Sequence, residues 1–260
     1  MSVTAFLTDS TLCIGCKACE VACKEWNDVS EDGLDWSGLS YDNTGALGAS
    51  TWRHVKFVEQ QPVPGIGGNS GASASWSFSS DVCKHCEEAG CLEACPTGSI
   101  VRTEFGGVFI QPDVCNGCGY CVTSCPFGVV ERDKKDGRAF KCTFCYDRQK
   151  AGMVPACAKV CPTESIKFGE IDDLREQAAE RLEELRRRGV DDATFYDSAN
   201  TSVQGTHAMF ILRGEPQTYN LPPAAEVPTI YLKKAWTSSA IAAGLLLCGA
   251  LFAFISENHH

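Results

Sequence analysis

Sixteen of the 17 cysteines in the 260-residue chain fall into four blocks. The first holds Cys13, Cys16, Cys19 and Cys23, the second Cys83, Cys86, Cys91 and Cys95, the third Cys115, Cys118, Cys121 and Cys125, and the fourth Cys142, Cys145, Cys157 and Cys161. Thiolates gathered this closely are soft ligands suited to zinc or to iron–sulfur clusters, and the spacing separates the two. Blocks one and three read C-x2-C-x2-C-x3-C, and the others are the same frame with a wider gap between the second and third cysteines. Structural zinc sites use two C-x2-C pairs set well apart, or cysteine with histidine, whereas the triplet wraps three corners of a cube and takes its fourth ligand from elsewhere. The expectation is four [4Fe–4S] clusters, with structural zinc and disulfides as the alternatives. Disulfide stapling suits smaller secreted chains denser in cysteine than this one.

Blocks two, three and four each end in Cys-Pro, at Pro96, Pro126 and Pro162, and β-type residues follow: Ile100-Val101, Val129-Val130 and Ile166-Lys167-Phe168. This is the bacterial ferredoxin frame, in which the last cysteine of each block ligates the other cluster of a pair. It predicts an α+β fold of strand, cluster loop, short helix carrying the fourth cysteine, and strand, repeated with near two-fold symmetry. Blocks two and three are close enough in sequence to form one inner unit, which leaves one and four as an outer unit. The nested reading assigns Cys13, Cys16, Cys19 and Cys161 to a first cluster, and Cys142, Cys145, Cys157 and Cys23 to a second. Cys83, Cys86, Cys91 and Cys125 make a third, and Cys115, Cys118, Cys121 and Cys95 a fourth. Pairing one with two and three with four remains the alternative. The expected domain runs over 1–170, with the outer unit from 1–30 and 138–170, the inner from 80–130, and an insert at 31–79.

Within the insert, Trp52 to Val58 alternates like a strand and the Gly/Ser-rich stretch Pro62 to Ser80 reads as a surface loop. After block four, Ile171, Leu174, Ala178, Leu182 and Leu185 recur at helical spacing, with Gly189 as a stop. Gly205 to Leu212 resembles a strand, and a Pro-rich run from Pro216 to Pro228 completes a helix, strand and linker region over 171–232. Residues 233–256 are expected to be a transmembrane helix, because Ala235 to Ile255 carries no charge and is just long enough to cross a hydrocarbon core of about 30 Å. A short tail, 257–260, follows.

A net charge of −10 argues against a nucleic-acid partner. No Gly-rich nucleotide loop, nucleophile elbow or H-E-x-x-H is present, so the chain reads as an electron wire with no catalytic centre of its own. His54, His85 and His207 are expected to be structural, and Trp26, Trp36, Trp52 and Trp76 to be packing residues. Lys84, His85, Lys17 and Lys141 lie beside cysteines and could raise reduction potentials if buried. Cys248, inside the apolar segment, has no partner ligand nearby. The N-terminus shows no export signal of the ordinary type.

Over nearly its whole length the chain resembles the iron–sulfur beta subunits of membrane-bound molybdenum or tungsten oxidoreductases, most closely those of the nitrate-inducible type of formate dehydrogenase. The resemblance rests on Ser10 through Asp28, on Cys118-Gly119-Tyr120-Cys121 with Cys125-Pro126-Phe127, on Lys141-Cys142-Thr143, on Gly205-Thr206-His207-Ala208-Met209 and on the terminal helix. It implies the nested exchange of cysteines, a molybdopterin-bearing catalytic alpha subunit, and a gamma subunit whose haem b passes electrons to quinone. The beta partner of a membrane hydrogenase or another molybdoenzyme is the neighbouring possibility. It also implies a single-pass membrane location. Lys233 and Lys234 ahead of the helix would place the cluster domain in the cytoplasm by the positive-inside rule. Export of relatives already folded, alongside a partner with a twin-arginine signal, places it on the periplasmic or outer side, and that is the expectation adopted.

Overall fold

Thr4–Asp9 (β1) is buried along nearly all its length, as a strand covered on both faces must be. It is central in a four-stranded sheet, pairing antiparallel with Ile166–Glu170 (β8) and parallel with Ala208–Arg213 (β10), which in turn pairs antiparallel with Ala193–Tyr196 (β9). Strand alternation sorts the side chains into two layers. Leu7, Met209 and Ile211 face Leu174, Ala178 and Leu185 of the helix Ile171–Arg187 (α6), whereas Phe6, Phe210 and Leu212 join the core that contains the cysteines. Acidic residues open α6 and arginines close it, each favourable to the helix dipole.

The computed structural model describes residues 2–32, 36, 38, 42–60 and 75–257, and the chain divides into two units, 1–227 and 228–260. The region expected as helix, strand and linker therefore belongs largely to the first unit. The reason is the pairing of β10 with β1, whose register sets Phe6 opposite Ala208. The strand begins at Ala208, later than expected, with only a bridge from Thr206 to Cys86 before it.

In the insert, Arg53–Gln60 (β2) pairs antiparallel with Ser75–Val82 (β3). The expected loop over 62–80 is thus corrected at its end, since residues 75–80 are strand; Ser79 and Ser80 are buried there. The rest of that loop, 62–74, lies outside the described residues. Short hairpins join Ile100–Arg102 (β4) to Val108–Ile110 (β5) and Glu131–Arg132 (β6) to Ala139–Phe140 (β7).

The second unit holds one long helix, Leu232–Glu257 (α7), of 26 residues. At 1.5 Å per residue this exceeds a hydrocarbon core of about 30 Å. Its apolar side chains from Trp236 to Phe254 are exposed, unlike those of a core helix. The Thr237 and Ser238 hydroxyls donate to the carbonyls of Lys234 and Ala235, which satisfies them inside the helix. Of the expected tail, 258–260 lies outside the described residues.

Candidate metal centres

Each block opens with a C-x-x-C loop whose third residue has left-handed backbone. It is Gly15 (φ 70°) in the first, His85 (φ 45°) in the second, Gly117 (φ 72°) in the third and Phe144 (φ 62°) in the fourth. That turn bends the loop inward and aims N–H groups at sulfur; the Phe144 N–H donates to Cys142 Sγ at 3.3 Å. A short helix then presents the third cysteine. Cys19 lies on Ala18–Asn27 (α1), Cys91 on Gly90–Glu93 (α2), Cys121 on Tyr120–Thr123 (α3) and Cys157 on Ala156–Val160 (α5); Tyr146–Lys150 (α4) follows Cys145. Only α1 is long enough to carry its fourth cysteine, Cys23, one turn on. Cys95, Cys125 and Cys161 come after their helices, which corrects the expected placement: the following proline favours extended backbone at the residue before it and ends the turn.

Cys13, Cys16, Cys19 and Cys161 line one small cavity, and Cys83, Cys86, Cys91 and Cys125 line another. Cys23 has Cys157 and Cys145 beside it, and Cys142 has Cys23 and Cys145. Cys121 neighbours Cys115, Cys118 and Cys95. Neighbouring groups feel each other electrostatically in one order: Cys157 acts on Cys19, Cys83 on Cys142, and Cys121 on Cys91. The groups at the two ends each expose one cysteine, Cys16 and Cys118, while Cys23, Cys142, Cys145 and Cys157 are all buried. All 17 cysteines are free thiols, with Cys248 exposed on α7.

Burial governs the thiols. It pushes Cys91 up to about 12 and Cys145 up to about 11, so these groups keep their protons in neutral solution until metal displaces them. Cys95 differs: burial is again the largest single influence and raises it, but hydrogen bonds from the Ser99 hydroxyl (3.1 Å), from the Thr97 hydroxyl and from the backbone N–H groups of Ile100 and Thr97 together outweigh it and lower it to about 7. Donors also reach other sulfurs, from Arg53 Nη2 to Cys157 (3.2 Å) and from the Ala139 N–H to Cys115 (3.5 Å).

Cations sit beside the thiols. Lys84, expected to matter only if buried, is 1% exposed, and it pairs with Asp81. Lys141 is buried and donates to the carbonyls of Val108 and Cys142; burial opposes its charge, but Cys83, Cys91 and Cys142 hold its pKa above the usual lysine range. Lys17 is partly exposed and pairs with Glu20 and Asp42.

The three histidines among the described residues are buried. His54 lies between Glu20 and Asp42, and His207 Nε2 is 2.9 Å from the Glu87 carboxylate. His85 Nδ1 accepts the Val108 N–H at 3.0 Å, so Nε2 carries the ring proton. Among the described residues that Nε2 has no partner, and the ring lies in the wall of the cavity lined by Cys83, Cys86, Cys91 and Cys125. Trp26 donates to Asp147 and stacks under Arg148, whereas Trp36, expected to pack, is largely exposed.

This donor set fits an iron–sulfur cluster. Sulfur ligands gather from distant blocks, N–H and O–H donors and cations surround them, and a histidine with an orphaned buried nitrogen lines the space such a group would fill. Sequence reasoning missed Arg53, whose only sign was a charged residue at the head of an alternating strand.

Comparison with known proteins agrees. Residues 12–99 and residues 74–171 each match a family described as a 4Fe-4S dicluster domain, and the two matches together take in all four blocks. The chain is 38% identical to the nitrate-inducible formate dehydrogenase iron-sulfur subunit of Escherichia coli K12, over 98% of this chain and 90% of that one. It is 41% identical to the formate dehydrogenase-O iron-sulfur subunit of the same organism, over 86% of this chain and 72% of the relative. One polypeptide of the anaerobic dimethyl sulfoxide reductase, again of Escherichia coli K12, is 34% identical over 66% of this chain and 76% of its own length.

Proposed function

Because the chain belongs to the family of formate dehydrogenase iron–sulfur subunits, an electron-transfer type shared with related molybdoenzymes, we propose that it carries electrons through four [4Fe–4S] clusters from a molybdopterin-bearing subunit that oxidises formate to a haem b subunit in the membrane. The clusters, when bound, supply one-electron carriers. The ligand sets proposed are Cys13, Cys16, Cys19 and Cys161; Cys23, Cys142, Cys145 and Cys157; Cys83, Cys86, Cys91 and Cys125; and Cys95, Cys115, Cys118 and Cys121.

The observation that carries this reading is the single file of cysteine groups with one exposed cysteine at each end. The protein's own part is to hold the sulfurs, bury all four of Cys23, Cys142, Cys145 and Cys157, and leave a port at either end. Exposed apolar residues flank both ports, Ile14 and Val160 near Cys16 and Cys161, and Val114 and Tyr120 near Cys118. Such residues suit docking to partner subunits. On this reading the C–H bond of formate is cleaved by the partner and the chain only carries the electrons. Helix α7 anchors the chain beside the haem subunit among the lipids, with the cluster domain on the periplasmic or outer side. Protease digestion of intact spheroplasts reads this sidedness: the outer placement expects cleavage, and protection until permeabilisation reverses it.

The central test is reduction. In the complex purified from native membrane, which should hold roughly sixteen irons per copy of this chain, formate should bleach the cluster absorbance. The same chain separated from its partners should respond to dithionite and not to formate. Bleaching of the separated chain by formate, without molybdenum or tungsten present, would overturn the assignment.

A further inference from the structure

Arg53, the first residue of β2, is 1% exposed, and its Nη1 donates to the Ser80 carbonyl at 3.1 Å while its Nη2 donates to Cys157 Sγ at 3.2 Å. The guanidinium lies over the Phe6 ring, 4.7 Å from its centroid, and Nε has no partner among the described residues. Cys19 Sγ lies 3.2 Å from the hydroxyl of the same Ser80. Among the described residues no carboxylate forms an ion pair with Arg53, whereas the equally buried Lys84 has Asp81. Burying a guanidinium without a counter-charge is strongly unfavourable, and arginine cannot relieve the penalty by losing its proton. What faces this cation is sulfur from two cysteine groups, Cys157 in one and Cys19 in the other.

On the ligand sets proposed above, we propose that Arg53 is the shared counter-ion of the two clusters held by the first and fourth cysteine blocks, raising both reduction potentials and that of the Cys157-bearing cluster more. A cluster of four thiolate ligands is anionic and becomes more so on taking one electron from the catalytic partner. The guanidinium is protonated in both states, so the electron arrives without a proton and the added charge meets a cation already in place. The direct N–H···S bond makes Cys157 the stronger recipient; Cys19 feels the same charge without a bond from it. Placed between two neighbouring carriers, one cation offsets the charge of whichever holds the electron.

The test uses the complete complex from native membrane, with Arg53→Gln and Arg53→Lys, titrated potentiometrically by electron paramagnetic resonance. The two affected signals are identified beforehand by Cys19→Ser and Cys157→Ser. Arg53→Gln should keep its iron and lower both midpoints, the Cys157-bearing one by at least tenfold in its reduction equilibrium, about 59 mV for one electron. Arg53→Lys should restore most of the loss, and the other two signals should stay in place. Loss of the two centres in Arg53→Gln but not in Arg53→Lys would equally support a counter-ion, because charge alone then decides assembly. Full iron with unmoved potentials overturns the proposal, and so does equal loss of iron in both variants, which marks a packing role. If Cys19→Ser and Cys157→Ser alter one and the same signal, the ligand sets themselves fail, and with them the sharing, whatever the Arg53 variants do.

Discussion

The loops Cys13–Cys16 and Cys115–Cys118 and the loops Cys83–Cys86 and Cys142–Cys145 reach the same left-handed turn with different residues. The first two belong to the end groups and use Gly15 and Gly117, for which positive φ carries no steric penalty. The other two belong to the middle groups and use His85 and Phe144, for which it costs about 1–2 kcal/mol. Both rings are about 1% exposed, and they meet at a 38° tilt with centroids 4.4 Å apart; Phe144 also meets Phe6 edge-on at 5.1 Å. Burying a large side chain outweighs a strained backbone angle. The middle of the file is thus sealed by the residues that turn its loops, while the ends are left open by residues that fill no space.

This contrast can be broken most severely at a buried ligand. On the proposed sets, Cys142→Ser and Cys23→Ser strike the same middle cluster from the fourth and the first block. Each is expected to abolish or alter the same electron paramagnetic resonance signal and to cut the yield of assembled complex well below that of Cys118→Ser, whose site is exposed. Two different signals affected would refute the exchange of cysteines between blocks one and four.

Phe144→Gly comes next. Deleting a buried phenyl ring costs roughly 3–5 kcal/mol, and removing the left-handed strain returns about 1–2. A net loss of about 1–4 kcal/mol should appear as a lower temperature for thermal bleaching of the clusters. A variant as stable as the wild type would mean that the ring does not hold the middle loops together.

The smallest change is expected at the ends. Gly15→Ala meets a positive φ, and its Cβ would lie 2.9 Å from the Phe78 ring, a side chain able to shift, so about 1–2 kcal/mol should be lost. Gly117→Ala should lose more, because its Cβ would lie 2.4 Å from the Gly137 carbonyl oxygen, and backbone gives way less readily. Denaturation of both variants in parallel checks the order, and the reverse ranking would show that the β6–β7 turn carrying Gly137 moves freely.

The chemistry of the chain was legible in its sequence because ligand type and spacing are local: C-x2-C-x2-C-x3-C states four sulfurs, a turn and a short helix without reference to anything distant. Amphipathic α6 and apolar α7 were legible for the same reason, since helical periodicity and an uncharged run are also local patterns. What tertiary structure decided is non-local. Cys161, and no cysteine of the second block, lines the cavity with Cys13, Cys16 and Cys19, because β8 pairs with β1 and brings the end of the fourth block to the start of the first. β10 joins that sheet in parallel from far along the chain, so a strand expected outside the 1–170 domain lies in its sheet. Glycine at the third position of two loops announced the left-handed turn; His85 and Phe144 hid it, since their strain is offset only by rings packed from different blocks. Arg53 was equally hidden, because a buried charge is defined by what surrounds it, and its surroundings come from Phe6, Cys19, Ser80 and Cys157, which only the folded chain brings together.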